Sequence, residues 1–280
     1  MSDWVDWMRL GVTSYTFRWA VGGDSRFGDS FRPKRAVDAF GLVDRVSKLG
    51  LEVLQIADNM NIKLTAPNYR KLRETAEARG IALQLGTCGI DKAVVKRYAE
   101  IAELLGVSLL NVYAAERQPI GEVVERIRGF LPELRDQQLA LTLENEDSGI
   151  YACHELAEIL RRVDDPLVGA CVDTMNSTVI LEHPFDTVRV LAPYAMCFHL
   201  KDFIIRRTSV SGFSIEGVPV GTGMLNVKAV LDMARGTGRE PDILLEQFMG
   251  RRVDEETTLE EEARWVRTGA RFVRSLLSDV

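Results

Sequence analysis

The sequence predicts an α/β protein folded as a single (β/α)8 TIM barrel over residues 1–280, and three observations predict it. Eight short strand-like runs recur, beginning near Leu10, Leu51, Ile81, Leu109, Ala140, Val168, Ala195 and Asp242. From the second to the seventh their starts lie 27 to 31 residues apart, room for one strand, one helix and two short connections. The runs are nearly continuous in apolar residues rather than alternating, as parallel strands covered on both faces are. An open doubly wound sheet is the alternative. It is disfavoured because no glycine-rich phosphate fingerprint follows the first strand.

Each element has its own signal. In the first run, LGVTSYTF, the aromatics Tyr15, Phe17 and Trp19 alternate toward one face and read equally as a pocket wall or as ordinary core or rim packing. Helix-like stretches follow at 66–79, 91–105, 120–137, 151–163 and 226–235, and His183 precedes Pro184 at a further helix start. The last helix carries an apolar stripe of Leu259, Ala263, Val266, Ala270, Val273 and Leu277, opposite a charged face with Glu260, Glu261, Glu262, Arg267 and Arg274. Gly50, Gly80 and Gly106, each one residue before a strand, read as helix C-caps. Two spacings are long, 41 residues after the first strand start and 47 after the seventh. Both excesses fall on the face where barrel enzymes keep their sites, so 19–32 and 203–223 read as loops over that face.

Bulk properties narrow the function classes. The 280 residues are 46% hydrophobic and 27% charged, with a net charge of −6. That balance offers no basic footprint for nucleic acid or an anionic membrane. No apolar run approaches the ~18 residues of a membrane-spanning helix. Met1 to Trp7 lacks the basic region and apolar stretch of a secretory leader. Cys88, Cys153, Cys171 and Cys197 form no C-x-x-C pair, so a reduced, cytoplasmic setting is expected.

Four polar residues end apolar runs: Glu144 in LTLEN, Asp173 in CVDT, His199 in CFHLKD and Glu246 in ILLEQ. Burying one isolated carboxylate there is costly, and a single such residue reads as a salt bridge or cap. Four in consecutive strands, three carboxylates and one imidazole, ask for one divalent metal ion. Such donors suit Mn²⁺, then Mg²⁺ or Co²⁺, with Zn²⁺ less natural. Lys201, two residues past His199, shares its face; it reads equally as a donor to substrate or as the partner of a carboxylate. Asp202 points the other way and reads as structural. Glu146 reads first as a rim salt bridge and second as a further acid or base. His154 and His183 read as surface residues.

These pieces, together with VGTG at 220–223, resemble the xylose isomerase-like superfamily of sugar-phosphate isomerases and epimerases. The resemblance covers most of the chain and is strongest from about 140 to 250. It implies that Glu144, Asp173, His199 and Glu246 hold one metal ion and that Glu144 and Glu246 exchange protons with substrate. Substrate contacts are expected from Tyr15, Glu146, Asn176, Lys201 and Arg206, with Arg207 an alternative to Arg206. One departure stands out: Asn176 occupies the place where ketose 3-epimerases carry a histidine, and asparagine can hydrogen-bond a substrate hydroxyl but cannot shuttle a proton. The expected function is a metal-dependent isomerase or epimerase of a small keto sugar or polyol ketone through an enediolate. A dehydratase or other lyase using the same enediolate is the alternative. The related apurinic endonucleases need many histidines, and only three are present. A barrel that binds a sugar or a partner subunit without turnover is the remaining class. Homo-oligomerisation is left open.

Overall fold

The computed structural model describes residues 8–22, 31–60, 65–146 and 151–278. Eight parallel strands close into a barrel: β1 (Leu10–Thr13), β2 (Val53–Ile56), β3 (Ala82–Cys88), β4 (Leu109–Tyr113), β5 (Ala140–Glu144), β6 (Val168–Asp173), β7 (Ala195–Leu200) and β10 (Asp242–Leu245). β10 closes the ring against β1, with Leu10 opposite Ile243. Gly11 permits the close approach on both sides: a Cβ there would lie 2.4 Å from the Val53 carbonyl oxygen of β2 and 2.8 Å from Leu244 Cδ2 of β10.

Around the barrel run α2 (Ala39–Lys48), α3 (Ala66–Glu77), α4 (Lys92–Leu105), α5 (Ile120–Asp136), α6 (Cys153–Val163), α7 (Pro184–Leu191), α8 (Val227–Arg235) and α9 (Glu255–Ser278), after a single-turn α1 (Arg18–Val21). Their apolar faces and the outward strand residues form one continuous core, including Leu42, Leu72, Ile127, Leu156, Val230 and Val266. Gly50, Gly80 and Gly106 hold φ of 65°, 67° and 67° just past α2, α3 and α4, as C-capping requires. None of the described helices is long and apolar enough to cross a membrane.

Three local expectations are corrected. The first strand ends at Thr13, and Ser14–Phe17 forms a 3₁₀ turn. Hydroxyls bend it: Thr16 donates to the Leu245 carbonyl, and Ser14 accepts from the Ala57 amide. The aromatics therefore share no single face: Tyr15 lines the cavity, while core packing holds for Phe17, in the main core, and Trp19, in a small cluster with Phe31, Met249 and Trp265. Of the expected 19–32 loop, Trp19–Val21 is helical and 23–30 lies outside the described residues. The expected loop at 203–223 contains most of an antiparallel hairpin, β8 (Asp202–Arg207) with β9 (Phe213–Val218). Finally, Glu262 is buried rather than on the solvent face of α9. It accepts the backbone N–H groups of Trp19 and Ala20, which α1 presents at its start.

Candidate active site

In the barrel, strand ends converge on one rim. Glu144 closes β5, Asp173 closes β6 directly opposite His199 of β7, and Glu246 follows β10, its amide donating to the Leu200 carbonyl. All four side chains are buried, and one donor atom from each lies within 4.8 Å of the others. Each is held. Asn111 donates to Glu144 Oε2 at 2.6 Å and is itself oriented by Thr142. Thr13 donates to Glu246 Oε1 at 2.9 Å. The amides of Met175 and Asn176 donate to Asp173 Oδ1, so Oδ2 is left facing the centre. His199 turns Nδ1 to Glu144 at 3.0 Å and to Glu246 at 3.4 Å.

Lys201 enters the same cluster. Its Nζ lies 2.7 Å from Asp173 Oδ2, 2.9 Å from Glu246 Oε2 and 2.9 Å from Asn176 Oδ1, and 4.4 Å from the centre of the Phe248 ring. Burial alone would strip the charges from these groups. It is overcome at Lys201 and His199, whose neighbouring carboxylates keep both well above their ordinary values. Burial likewise pushes Glu246 up, yet His199 and Lys201 hold it well below the usual carboxylate range. At Asp173 burial wins over Lys201 and the carboxyl is raised.

The donor set fits a hard divalent cation. Two cations face three carboxylates when His199 is protonated, leaving an excess negative charge in a buried site. A divalent ion with neutral His199 brings the sum to zero. The Asp173 Oδ2 contact to Lys201 is an ion pair off hydrogen-bond alignment, so this buried oxygen keeps a lone pair for a ligand bond. Cys171 lies close enough to join Glu144 and His199, but burial pushes its thiol well up and away from the thiolate a soft metal needs.

The cavity above the cluster is lined by Tyr15, Asn111, Tyr113, Glu146, Asn176 and Phe248 among others. Tyr15 and Tyr113 each donate a hydroxyl to Asp58 at 2.7 Å, and the Tyr15 ring meets Phe248 edge-on at 5.7 Å. Asn176 donates to Glu146 at 3.0 Å and lies 3.4 Å from Glu144. Of the expected substrate contacts, Tyr15, Glu146 and Asn176 line this cavity, and Lys201 contacts Asn176, Glu246 and Phe248 of its lining. Arg206 does not reach it. It sits on the outer hairpin, 62% exposed and paired with Glu216, and Arg207 stacks on exposed Phe213. Arg206 belongs to the exposed end of a two-stranded sheet that is separate from the barrel, where it lies opposite Ser214. Asp202 is structural, accepting the amides of Phe203, Gly221, Gly223 and Leu225. His154 and His183 are exposed on or beside their helices. Three further buried amides, Gln55, Gln84 and Asn111, are not singled out by sequence alone. Their signal was a lone amide inside each of the runs VLQI, ALQL and LLNV.

With this geometry in place, comparison with known proteins assigns the class. Residues 43–269 match the xylose isomerase-like TIM barrel family, and the chain belongs to that family. Among characterised relatives, the 3-oxo-isoapionate decarboxylase of Pectobacterium atrosepticum is 26% identical over 271 residues, 95% of each chain. Among solved structures, D-psicose 3-epimerase crystallised with D-fructose superposes with a TM-score of 0.70 at 16% identity, over 96% of this chain and 99% of that one. A xylose isomerase-like barrel protein from Mycobacterium smegmatis in complex with magnesium gives 0.70 at 16% identity over 97% of each chain. At that identity the superpositions speak for the fold alone.

Proposed function

We propose that this protein is a divalent-metal-dependent enzyme acting on a small 3-oxo sugar acid, which it decarboxylates by way of an enediolate. Glu144, Asp173, His199 and Glu246 would hold the ion, Mn²⁺ first and Mg²⁺ or Co²⁺ next. A bound divalent ion would supply a Lewis acid that draws electron density toward two adjacent substrate oxygens. The observation that carries the reading is the packing of Glu246: Thr13 donates to one oxygen while Lys201 and His199 lie against the other, which makes it a poor base. Proton exchange on two faces of one carbon needs two competent bases, whereas decarboxylation needs none to begin. The bond to the carboxylate breaks, carbon dioxide leaves, and its electron pair flows into the neighbouring carbonyl. The carbon then takes one proton. Glu146, at the cavity wall beside Asn176, is placed to deliver it. Asn176, where a proton-carrying histidine would serve an epimerase, suits this one-way chemistry. The decarboxylase relative, aligned over 95% of the chain, supports it as well.

The isomerase or epimerase expected from the sequence is the second reading. It is favoured by one observation, that Glu144 and Glu246 both border the same cavity. Incubation of the Mn²⁺-loaded protein with 3-oxo sugar acids and with ketohexoses in D₂O separates the two. Release of carbon dioxide with one deuterium at the decarboxylated carbon is the expected result. Deuterated epimer without carbon dioxide overturns the lyase reading in favour of the second. The four cysteines free of disulfides suit a reducing, cytoplasmic setting.

A further inference from the structure

A file of buried polar side chains runs from His199 through the barrel interior to the opposite, N-terminal end. His199 Nε2 lies 2.9 Å from Gln55 Oε1, Gln55 Nε2 donates to Gln84 Oε1 at 3.2 Å, and Gln84 Nε2 donates to Asp242 Oδ2 at 2.6 Å. Asp242 ends the file in a two-point pair with Arg9, at 2.8 and 2.7 Å. Gln55, Gln84 and Asp242 are 0%, 3% and 6% exposed. An amide can face either way, so the direction of such a file needs an anchor. Asp242 provides one. Burial pushes its carboxyl up, but the Arg9 guanidinium pulls against this and, having only donors, requires acceptors on both oxygens. Gln84 must therefore offer its NH₂ to Asp242 and its oxygen to Gln55. Gln55 must offer its NH₂ to Gln84 and its oxygen to His199. An oxygen there accepts a proton only from Nε2–H.

We propose that the Arg9–Asp242 pair, acting through Gln84 and Gln55, fixes the imidazole of His199 with its proton on Nε2 and its lone pair on Nδ1, toward the three carboxylates. Gln55, Gln84 and Asp242 are thus positioning residues for the metal ligand. The inference rests on the metal reading above. It adds that the ligand is oriented from the far end of the barrel, through Gln84 in the barrel interior and Gln55 at the cavity wall. Second-layer partners of ligating histidines typically change metal affinity roughly 10- to 100-fold.

Only three histidines are present, so ¹⁵N-histidine NMR resolves His199 directly. Zn²⁺ is the probe, diamagnetic and strongly held by imidazole. In the wild type, Zn²⁺ is expected to shift Nδ1 and leave a slowly exchanging proton on Nε2. Metal at Nε2 with the proton on Nδ1 overturns the inference while keeping the metal site. A His199 spectrum indifferent to Zn²⁺ overturns the metal reading and the inference with it. Gln55→Met is expected to speed exchange of the Nε2 proton and weaken Zn²⁺ roughly tenfold or more. Asp242→Asn and Gln84→Met, far from the ion, are expected to give a weaker form of the same signature. In a Gln55→Glu background, where residue 55 accepts only, Asp242→Asn should no longer affect the Nε2 proton. Circular dichroism confirms the fold of each variant. Folded Asp242→Asn and Gln84→Met proteins with unchanged Nε2 exchange and Zn²⁺ affinity would show that Gln55 acts alone.

Discussion

Glu246 and Glu262 are both buried carboxylates on neighbouring elements, and their environments drive them in opposite directions. Glu262, on α9, meets two backbone N–H groups, and burial outweighs these and the charges of Arg45 and Arg18, pushing it up to about 7. Glu246 is equally buried, yet Lys201 and His199 hold it charged. Burial alone therefore does not decide whether a carboxylate stays ionised; the charges delivered beside it do. The α1–α9 junction tolerates one marginal carboxylate for structure. The rim collects three, with two cations, which is an arrangement made for charge and not for packing.

Substitutions can break that contrast. Glu246→Gln should have the largest effect, a fall in kcat/KM of roughly 100-fold or more with loss of bound metal, since a ligand vanishes while Lys201 and Asp173 stay in place. Lys201→Met should come next. It leaves Asp173 and Glu246 without their cation, so metal-free protein should lose about 3–5 kcal/mol in denaturant melts, and Mn²⁺ should restore part of it. A variant equally stable with and without metal would mean that the carboxylates do not share an ion.

Glu262 gives a smaller effect with a definite sign. Its folded value lies near 7 against an ordinary 4.5, so between those values the folded state binds more proton than the unfolded one. Stability from this group is then fully present below pH 4.5 and falls as pH rises through 7, by at most roughly 3 kcal/mol. Glu262→Gln should flatten that decline, visible in melting temperature compared at pH 5 and pH 8; an unchanged slope would mean the carboxylate is ionised throughout. Arg206→Ala should do least, leaving kcat/KM within about twofold and stability within about 0.5 kcal/mol, because its pair with Glu216 is exposed. A large loss would return Arg206 to the site.

The difference between the two regions also explains what could be read from sequence. Strand spacing and C-capping glycines made the barrel legible because both are local, periodic signals. The four rim residues were legible because charge at the end of an apolar run is costly without a partner. Arg206 misled, since nothing local distinguishes a hairpin arginine turned outward from one turned into a cavity. Glu262 misled because two amides from α1, over 240 residues away in sequence, cover a position that its own helix periodicity leaves exposed. Gln55 and Gln84 escaped because an amide in a buried run takes its meaning from partners on other strands.

Calorimetric titration of metal-stripped protein with Mn²⁺, in two buffers of different ionisation enthalpy, tests the central claim most directly. The account predicts one ion per chain, bound with release of a proton as His199 becomes neutral, and abolished in Asp173→Asn. No heat of binding, or an equal affinity in wild type and Asp173→Asn, would contradict it.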